Sequence, residues 1–144
     1  MVNNLLVRTL VLPIKPTDLN QRDIPDGPIY DLAAVKQIIH SAIEAGTRPV
    51  WLSESAEDST LNEFPIAWEP IEVGRFILSL TEADYDKSEW AQTGSQMWVD
   101  CDVYTMNYSR SRQARAERGP TLYAKFGVAR FSPTCLVVRF HPSR

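Results

Sequence analysis

Cysteine and histidine are scarce in this sequence, which limits the kinds of site that it can build. Its 144 residues include two cysteines and two histidines. Cys101 and Cys135 stand in separate apolar runs without the CxxC spacing of a zinc site, and Asp100 and Asp102 lack a third clustered metal ligand. We therefore predict no metal, no cofactor and no disulfide framework. Both cysteines are interpreted as reduced, buried side chains of a cytoplasmic protein.

Long hydrophobic runs are absent as well. A membrane-spanning helix needs about 20 consecutive apolar residues, and no segment approaches that length, so we expect no membrane association. Residues 5–14 are apolar, but Arg8 interrupts them and no small-residue cleavage site follows. They are therefore predicted to form a short strand or an apolar arm. The length fits one domain, which we place at residues 29–144 after an N-terminal extension of residues 1–28.

Most of the chain has a net negative charge, and a net positive charge is confined to its last 35 residues. Residues 1–109 hold seven Lys and Arg against 17 Asp and Glu, a net charge of −10, whereas residues 110–144 hold eight against one, a net charge of +7. Such a split predicts a face that binds polyanions, because Lys and Arg gain affinity by releasing phosphate counterions. The alternative is that the two parts pair with each other.

Hydrophobic periodicity divides the chain into helices followed by strands. Apolar residues recur at helical spacing from Leu32 to Ile43, with Asp31 as a cap and Gly46 as a stop, and again from Pro70 to Leu80. Thr81 and Asp84 resemble a capping box for a short helix reaching about Trp90. From residue 97 the period becomes two, and strands are predicted at 97–104, 121–128 and 135–140. The order predicts an α+β fold with N-terminal helices packed on a C-terminal antiparallel sheet, whereas residues 47–69 remain unassigned.

The last two predicted strands carry a set of polar side chains on one side. Alternation places Leu136, Val138 and Phe140 toward the core. The outward positions of the paired strands are then Tyr123 and Lys125 on one strand and Val137, Arg139 and His141 on the other. Metal-free RNA cleavage needs a group that takes the proton of the 2′-hydroxyl, cations on the phosphate and an acid for the leaving oxygen. An imidazole can exchange a proton near neutral pH, and these residue types therefore fit that chemistry.

Other residues are candidates for binding RNA. Lys87, Lys125 and Arg139 would hold the phosphate, and Tyr123, Tyr104 or Trp98 would stack an unpaired base. The segment SRSRQARAERGP, residues 109–120, is predicted to be a mobile basic loop that contributes Arg110, Arg112, Arg115 and Arg118. Each residue also has a structural interpretation, since such side chains often form the solvated face of a sheet and Trp98 and Tyr104 could pack on a helix.

Four segments resemble the MqsR family of bacterial toxins, which are RelE-like mRNA interferases. These are FILSLTEADYDKS (76–88), MWVDCDVY (97–104), TLYAKFGV (121–128) and CLVVRFH (135–141), and the helix LAAVKQIIHSAIEAG (32–46) resembles the opening helix of the family. The resemblance covers roughly three quarters of the chain. It implies a RelE-like fold and a ribonuclease that cuts single-stranded mRNA without a metal and is neutralised by a cognate antitoxin encoded next to it.

The resemblance also implies roles for individual residues. The catalytic lysine of the family falls on Lys87 and its catalytic tyrosine on Tyr123, with Lys125 as the neighbouring cation. The chain departs from the family at two places: Val99, or alternatively Cys101, stands where the family has Gln, and His141 stands where it has Lys.

The leading hypothesis is an endoribonuclease with Lys87, Tyr123 and His141 as catalytic residues and with Lys125 and Arg139 on the phosphate. The alternatives are a non-catalytic member that binds RNA or protein through residues 110–118, and a structural partner of an acidic protein.

Overall fold

The computed structural model of the protein describes residues 22–93, 97–129 and 132–143. Within them, three α-helices and a seven-stranded sheet form a mixed α+β fold. The helices are α1 (Leu32–Glu44), α2 (Glu54–Asn62) and α3 (Pro70–Leu78), and the strands are β1 (Asp23–Ile24), β2 (Val50–Leu52), β3 (Tyr85–Gln92), β4 (Trp98–Ser109), β5 (Ala114–Arg115), β6 (Thr121–Ala129) and β7 (Thr134–Pro142). The predicted α+β class is confirmed, whereas the arm predicted at residues 5–14 lies outside the described residues.

The sheet contains one parallel pair of strands. Its order is β1-β3-β4-β6-β7-β2, with β5 paired to β4 beyond this path. β2 runs parallel to β7, with Val50 opposite Cys135, and the remaining pairs are antiparallel. The predicted order of helices first and antiparallel strands after them is therefore only partly correct. β1 precedes α1 and β2 follows it, so segments from the N-terminal half form both edges of the sheet.

The helix signals in the sequence mark real helix ends. Asp31 is the N-cap residue of α1, although its side chain makes no capping hydrogen bond. After the C-cap residue Ala45, Gly46 has a φ of 73°, a left-handed conformation that glycine adopts without a steric cost. Pro70 occupies the first turn of α3, where its missing N–H has no helical partner to lose.

The predicted helix from Thr81 to about Trp90 is wrong. Thr81 and Asp84 do form a reciprocal capping box, but it supports only a 3-10 turn at Glu82–Asp84. From Tyr85 the backbone is extended and pairs with β4 along its length. Pairing with neighbouring strands has overridden the local helical signal, and as a result Lys87 lies on a strand.

The three helices cover one face of the sheet. Val35 of α1, Ala56 of α2 and Phe76 of α3 share one buried cluster with Tyr104 and Phe140 of the sheet. The opposite side, which we call the outer face, carries a small apolar cluster of Ala91, Cys101 and Val138, with Val99 and Leu136 packed against it. The alternation predicted for β4 is present, and the side that carries Tyr104 faces the helices.

A β-bulge in β7 decides which of its side chains reach the outer face. Phe126 is opposite Val137 and Lys125 is opposite Arg139, so Val138 is the extra residue. Val137 therefore faces the helical core, whereas Leu136 and Val138 belong to the outer cluster. The predicted inward positions of Leu136 and Val138 and the predicted outward position of Val137 are wrong because strict alternation cannot accommodate a bulge.

Candidate active site

Four of the predicted site residues lie in two neighbouring cross-strand pairs on the outer face. In the register of β6 and β7, Tyr123 is opposite His141 and Lys125 is opposite Arg139. Side chains in directly opposite positions of an antiparallel pair have Cβ atoms about 5 Å apart. The structure thus brings these four residues together, as the alternation of the two strands predicts.

A carboxylate that the sequence analysis did not single out joins two predicted cations. Glu89 Oε2 lies 2.5 Å from Lys125 Nζ, and Glu89 Oε1 lies 3.4 Å from Lys87 Nζ. Lys125 is almost fully enclosed, with 4% of its side chain exposed, whereas half of the Lys87 side chain is exposed. Three charged groups therefore follow one another on the outer face, from the exposed Lys87 through Glu89 to the enclosed Lys125.

Glu89 is ionised in this arrangement. Burial opposes its charge, but the hydrogen bond and charge of Lys125, together with Lys87, outweigh burial and hold the pKa of the Glu89 carboxyl below its usual value. One carboxylate between two ammonium groups leaves this cluster with a net positive charge. That sign suits the binding of a phosphate.

The omission of Glu89 has a definite cause in the sequence. Lys87 and Glu89 are two positions apart, which places them on the same side of a strand but on different sides of a helix. Because Thr81 and Asp84 predict a helix here, the two charges are not expected to meet. The signal that would have revealed them is the alternation of Lys87, Glu89 and Ala91, which share the outer face.

Tyr123 and His141 are stacked. Their ring centroids lie 4.5 Å apart with an interplanar angle of 10°. His141 Nδ1 lies 2.8 Å from the carbonyl oxygen of Pro142, so the tautomer that donates this hydrogen bond leaves Nε2 available. Burial, reinforced by the charge of Glu89, raises the pKa of Tyr123 to about 12. Tyr123 is thus a protonated donor at neutral pH and not a base.

The predicted base-stacking residues have different positions. Tyr104 is 1% exposed and stacks on Phe126 in the helical core, with centroids 5.6 Å apart. The prediction that Tyr104 stacks an RNA base is therefore wrong, because its strand turns that side toward the helices. Trp98 is half-buried at the start of β4, opposite Gln92.

Arg139, predicted to hold the phosphate, is exposed, and its Nη1 lies 3.4 Å from Ser55 Oγ.

The basic segment 109–120 is partly built into the fold. Arg110 donates to both carboxylate oxygens of Glu72, at 2.8 and 2.9 Å, and Arg115 forms an ion pair with Asp84. Within the predicted loop, Ala114 and Arg115 form the strand β5, which ties the segment to β4. Arg110 and Arg115 are occupied by these contacts. Arg112 and Arg118 are exposed and form no ion pair within the described part of the chain, which leaves them available to an external anion.

The two residues that align with the glutamine of the family, Val99 and Cys101, belong to the apolar cluster of the outer face. Cys101 is fully buried opposite Glu89, and Val99 packs beside it. Burial raises the pKa of the Cys101 thiol far above its usual value, so this thiol is neither a nucleophile nor a base. Both cysteines are free and buried, as predicted from the sequence.

A polar cavity of about 380 Å³ lies along β4, with the paired Asp84 and Arg115 in its lining. Its lining includes Thr105, which is opposite Tyr123, and Asn107 and Thr121 one register step further. Among residues 22–93, 97–129 and 132–143, no three His, Cys, Asp or Glu side chains cluster as metal ligands. The outer face thus offers cations, a carboxylate, a phenol and an imidazole beside a polar recess.

No family model, curated protein or solved structure matches this chain. In the described residues, no helix combines the length and the apolar character needed to cross a membrane.

Proposed function

We propose that the protein is a metal-independent endoribonuclease that cleaves single-stranded mRNA, of the kind the MqsR-like segments imply. One observation carries the proposal: Lys125, Arg139, Tyr123 and His141 occupy directly opposed positions on one face of the sheet. Cleavage of an RNA phosphodiester builds negative charge on the phosphate while one proton leaves the 2′-hydroxyl and another reaches the departing oxygen. The outer face holds residue types for each of these tasks.

The cations divide the binding of the phosphate between them. Lys125 is held in place by the strands around it and by Glu89, so it offers a charge of fixed position. Arg139 lies beside it at the solvent edge, and a guanidinium group can donate two parallel hydrogen bonds to one phosphate. Lys87 approaches from β3 and is half exposed. Preorganised cations of this kind stabilise a transition state because they need no rearrangement when the charge develops.

Tyr123 and His141 act on protons at the other end of the site. The Tyr123 phenol stays protonated and donates a hydrogen bond to a phosphate oxygen. The stacked His141 presents an imidazole that can deliver a proton to the departing 5′ oxygen. The polar cavity beside Thr105 provides room for a neighbouring nucleotide, and Arg112 and Arg118 extend the contact along the strand. Trp98 lies on the same side of β4 as Tyr104 and takes no part in this surface.

The first experiment incubates the purified full-length protein with single-stranded mRNA in the presence of EDTA. We expect cleavage to products with a 2′,3′-cyclic phosphate and a 5′-hydroxyl. Lys125→Met, Tyr123→Phe and Arg139→Ala should each slow cleavage by about 100-fold or more, the usual effect of removing one transition-state donor. Arg48→Ala removes an exposed cation that lies over Trp51, away from the site, and serves as the matched control.

Two results would contradict the proposal. The first is RNA that remains intact at every protein concentration, and salt-sensitive binding without cleavage would then favour the non-catalytic alternative. The second is equal cleavage by the wild-type protein and all three variants, which would place the chemistry elsewhere. Circular dichroism of each variant shows whether a loss of activity reflects a loss of folding.

The proposed toxin role and the antitoxin partner need a test in cells. We expect expression of the chain in a bacterium to arrest growth, and coexpression of the adjacent open reading frame to relieve the arrest. A Tyr123→Phe chain should not arrest growth. Arrest that persists with this variant would separate the toxicity from the proposed cleavage.

A further inference from the structure

Glu89 is a buried charge that holds Lys125 in place but has no part in the proton transfers proposed above. It is 8% exposed and lies opposite the fully buried Cys101, beside the small apolar cluster that contains Ala91 and Val138. An apolar residue at this position would extend that cluster. A buried ion pair is seldom more stabilising than apolar packing of the same volume. Stability alone therefore does not account for a carboxylate and a lysine at the centre of the outer face.

The Glu89 carboxylate remains within reach of a ligand. Its side chain keeps 11% of its surface exposed, next to the half-exposed Lys87. Each carboxylate oxygen carries two lone pairs, and each has one lysine partner in the structure. An incoming hydroxyl group can therefore donate to Glu89 without displacing either lysine.

The surroundings of Glu89 separate a proton acceptor from the proton donors. The charged or titratable groups that face it are Lys87 on its own strand, Cys101 on β4, and Lys125 and Tyr123 on β6. The lysines keep the carboxylate ionised, while burial and the charge of Glu89 keep Tyr123 protonated. Glu89 is therefore an ionised carboxylate that can accept a proton, whereas its neighbour Tyr123 can only donate a hydrogen bond.

We propose that Glu89 is the general base of the outer face and takes the proton of the RNA 2′-hydroxyl, an inference that rests on the proposed ribonuclease function. As this proton moves to the Glu89 carboxylate, the O2′–P bond forms. The P–O5′ bond breaks, and the O5′ atom receives a proton from the protonated imidazole of His141. The products are a 2′,3′-cyclic phosphate and a 5′-hydroxyl end. The exposed cations Arg139 and Lys87 carry the phosphate charge throughout, with the enclosed charge of Lys125 beside them.

The test compares Glu89→Gln with Glu89→Asp in the full-length protein. Single-turnover cleavage of a single-stranded RNA gives the rate, and binding of the same strand with 2′-deoxyribose at each position gives the affinity without cleavage. We expect Glu89→Gln to lower the rate by about 100-fold or more, the usual contribution of a general base. Affinity should stay the same or rise, because the two lysines lose an internal anion. Glu82→Gln, an exposed position in the preceding turn, is the matched control and should retain the wild-type rate.

A structural role would not produce the same pH profile. If Glu89 is the base, the wild-type rate falls at acidic pH as Glu89 becomes protonated, and this limb disappears in Glu89→Gln. Glu89→Asp should recover part of the rate and keep the acidic limb. This second variant decides the question if Glu89→Gln fails to fold.

The failures of the two proposals are distinguishable. A wild-type protein that cleaves no RNA overturns the ribonuclease function and this inference with it. An active wild type with a Glu89→Gln rate equal to or above its own overturns only the base assignment, and Glu89 would then be a neutraliser of the two lysines. Retention of the acidic limb in Glu89→Gln would have the same consequence.

Discussion

The carboxylate of Asp102 accepts a hydrogen bond from the Ser88 hydroxyl at 2.6 Å on the helix-facing side of the sheet. Ser88 lies between Lys87 and Glu89 on β3, so this contact fixes the strand that presents both charges to the outer face. Asp102 also accepts the backbone N–H groups of Ile29 and Tyr30, at 2.9 and 3.0 Å. One buried carboxylate therefore joins the segment before α1 to the two strands beneath the candidate site.

We expect Asp102→Ala to destabilise the protein strongly. The substitution leaves three buried donors without their acceptor, and each such group costs about 1–3 kcal/mol. The free energy of unfolding in urea should therefore fall by about 3 kcal/mol or more. Asp102→Asn keeps one acceptor oxygen and should cost less.

The control for this prediction is Asp58→Ala on α2, where the side chain is exposed and an effect within about 0.5 kcal/mol is expected. A loss below about 1 kcal/mol for Asp102→Ala would show that water or rearranged backbone replaces the carboxylate.

The contact between Arg110 and Glu72 predicts a pH-dependent contribution to stability. The hydrogen bond from Arg110, against the opposing effect of burial, holds the pKa of Glu72 below the ordinary value of 4.5. The stabilisation is therefore complete above that value and is lost as pH falls through the folded-state pKa. Lysine cannot make the bidentate contact, so Arg110→Lys should lower the free energy of unfolding by about 1.5–3 kcal/mol at pH 7.

The destabilisation caused by Arg110→Lys should shrink as pH falls below 4.5 toward pH 3 and Glu72 becomes protonated. It should not vanish, because Arg110 also donates to the carbonyl oxygens of Ile66 and Ala67. Urea unfolding between pH 7 and pH 3 measures the difference. Arg112→Lys, at an exposed neighbouring position, should be neutral at every pH. An equal effect of Arg110→Lys at pH 7 and pH 3 would mean that the ion pair contributes nothing beyond the carbonyl contacts.

The two exposed arginines predict a change in the salt dependence of RNA binding. Removing one cation that neutralises a phosphate should reduce the slope of log K against log salt by about 0.7 for a single strand. Arg112→Gln combined with Arg118→Gln should therefore reduce it by about 1.4, with little effect on stability because neither side chain has an ion-pair partner in the described residues. Fluorescence anisotropy of a labelled single-stranded RNA between about 50 and about 200 mM salt measures the slope.

Arg115→Gln is a useful contrast to this pair. Its guanidinium group is engaged by Asp84, so the substitution should act on the segment that carries β5 more than on the number of phosphates that the protein neutralises. An unchanged slope in the double variant would exclude Arg112 and Arg118 from the RNA interface.

The sequence predicts those elements of the fold whose periodicity is set by burial on one side and is not masked by a competing local signal. The apolar repeats of α1 and α3 and the alternation in β4 and β6 all correspond to observed elements. The edge strands β1 and β2 have two and three residues, too few to show a period. The parallel pairing of Val50 with Cys135 joins positions 85 residues apart, and no local signal specifies such a contact.

The site is predictable only where strand alternation is unambiguous. Tyr123 and Lys125 lie on the predicted side because Ala124 and Phe126 are buried between and beside them. Alternation alone does not say which side of a strand meets the helices, and for that reason it allows Tyr104 to be a candidate for RNA although this residue lies in the core. Glu89 is not predicted as a site residue, because the capping box of Thr81 and Asp84 indicates a helix, whereas pairing with β4 makes this segment a strand.

His141 is predicted to supply the proton to the departing oxygen. Its ring is stacked on Tyr123, and its Nδ1 lies 2.8 Å from the carbonyl oxygen of Pro142, which leaves Nε2 available. His141→Gln should therefore lower the single-turnover rate by about 100-fold or more, the usual contribution of a general acid.

His141→Lys provides the decisive comparison, because it retains a cation while removing the imidazole and its stack on Tyr123. It should bind RNA about as tightly as the wild type but cleave it about as slowly as His141→Gln. A single-turnover rate that matches the wild type would show that another group supplies the proton, and His141 would then serve to hold the Tyr123 ring against which it packs.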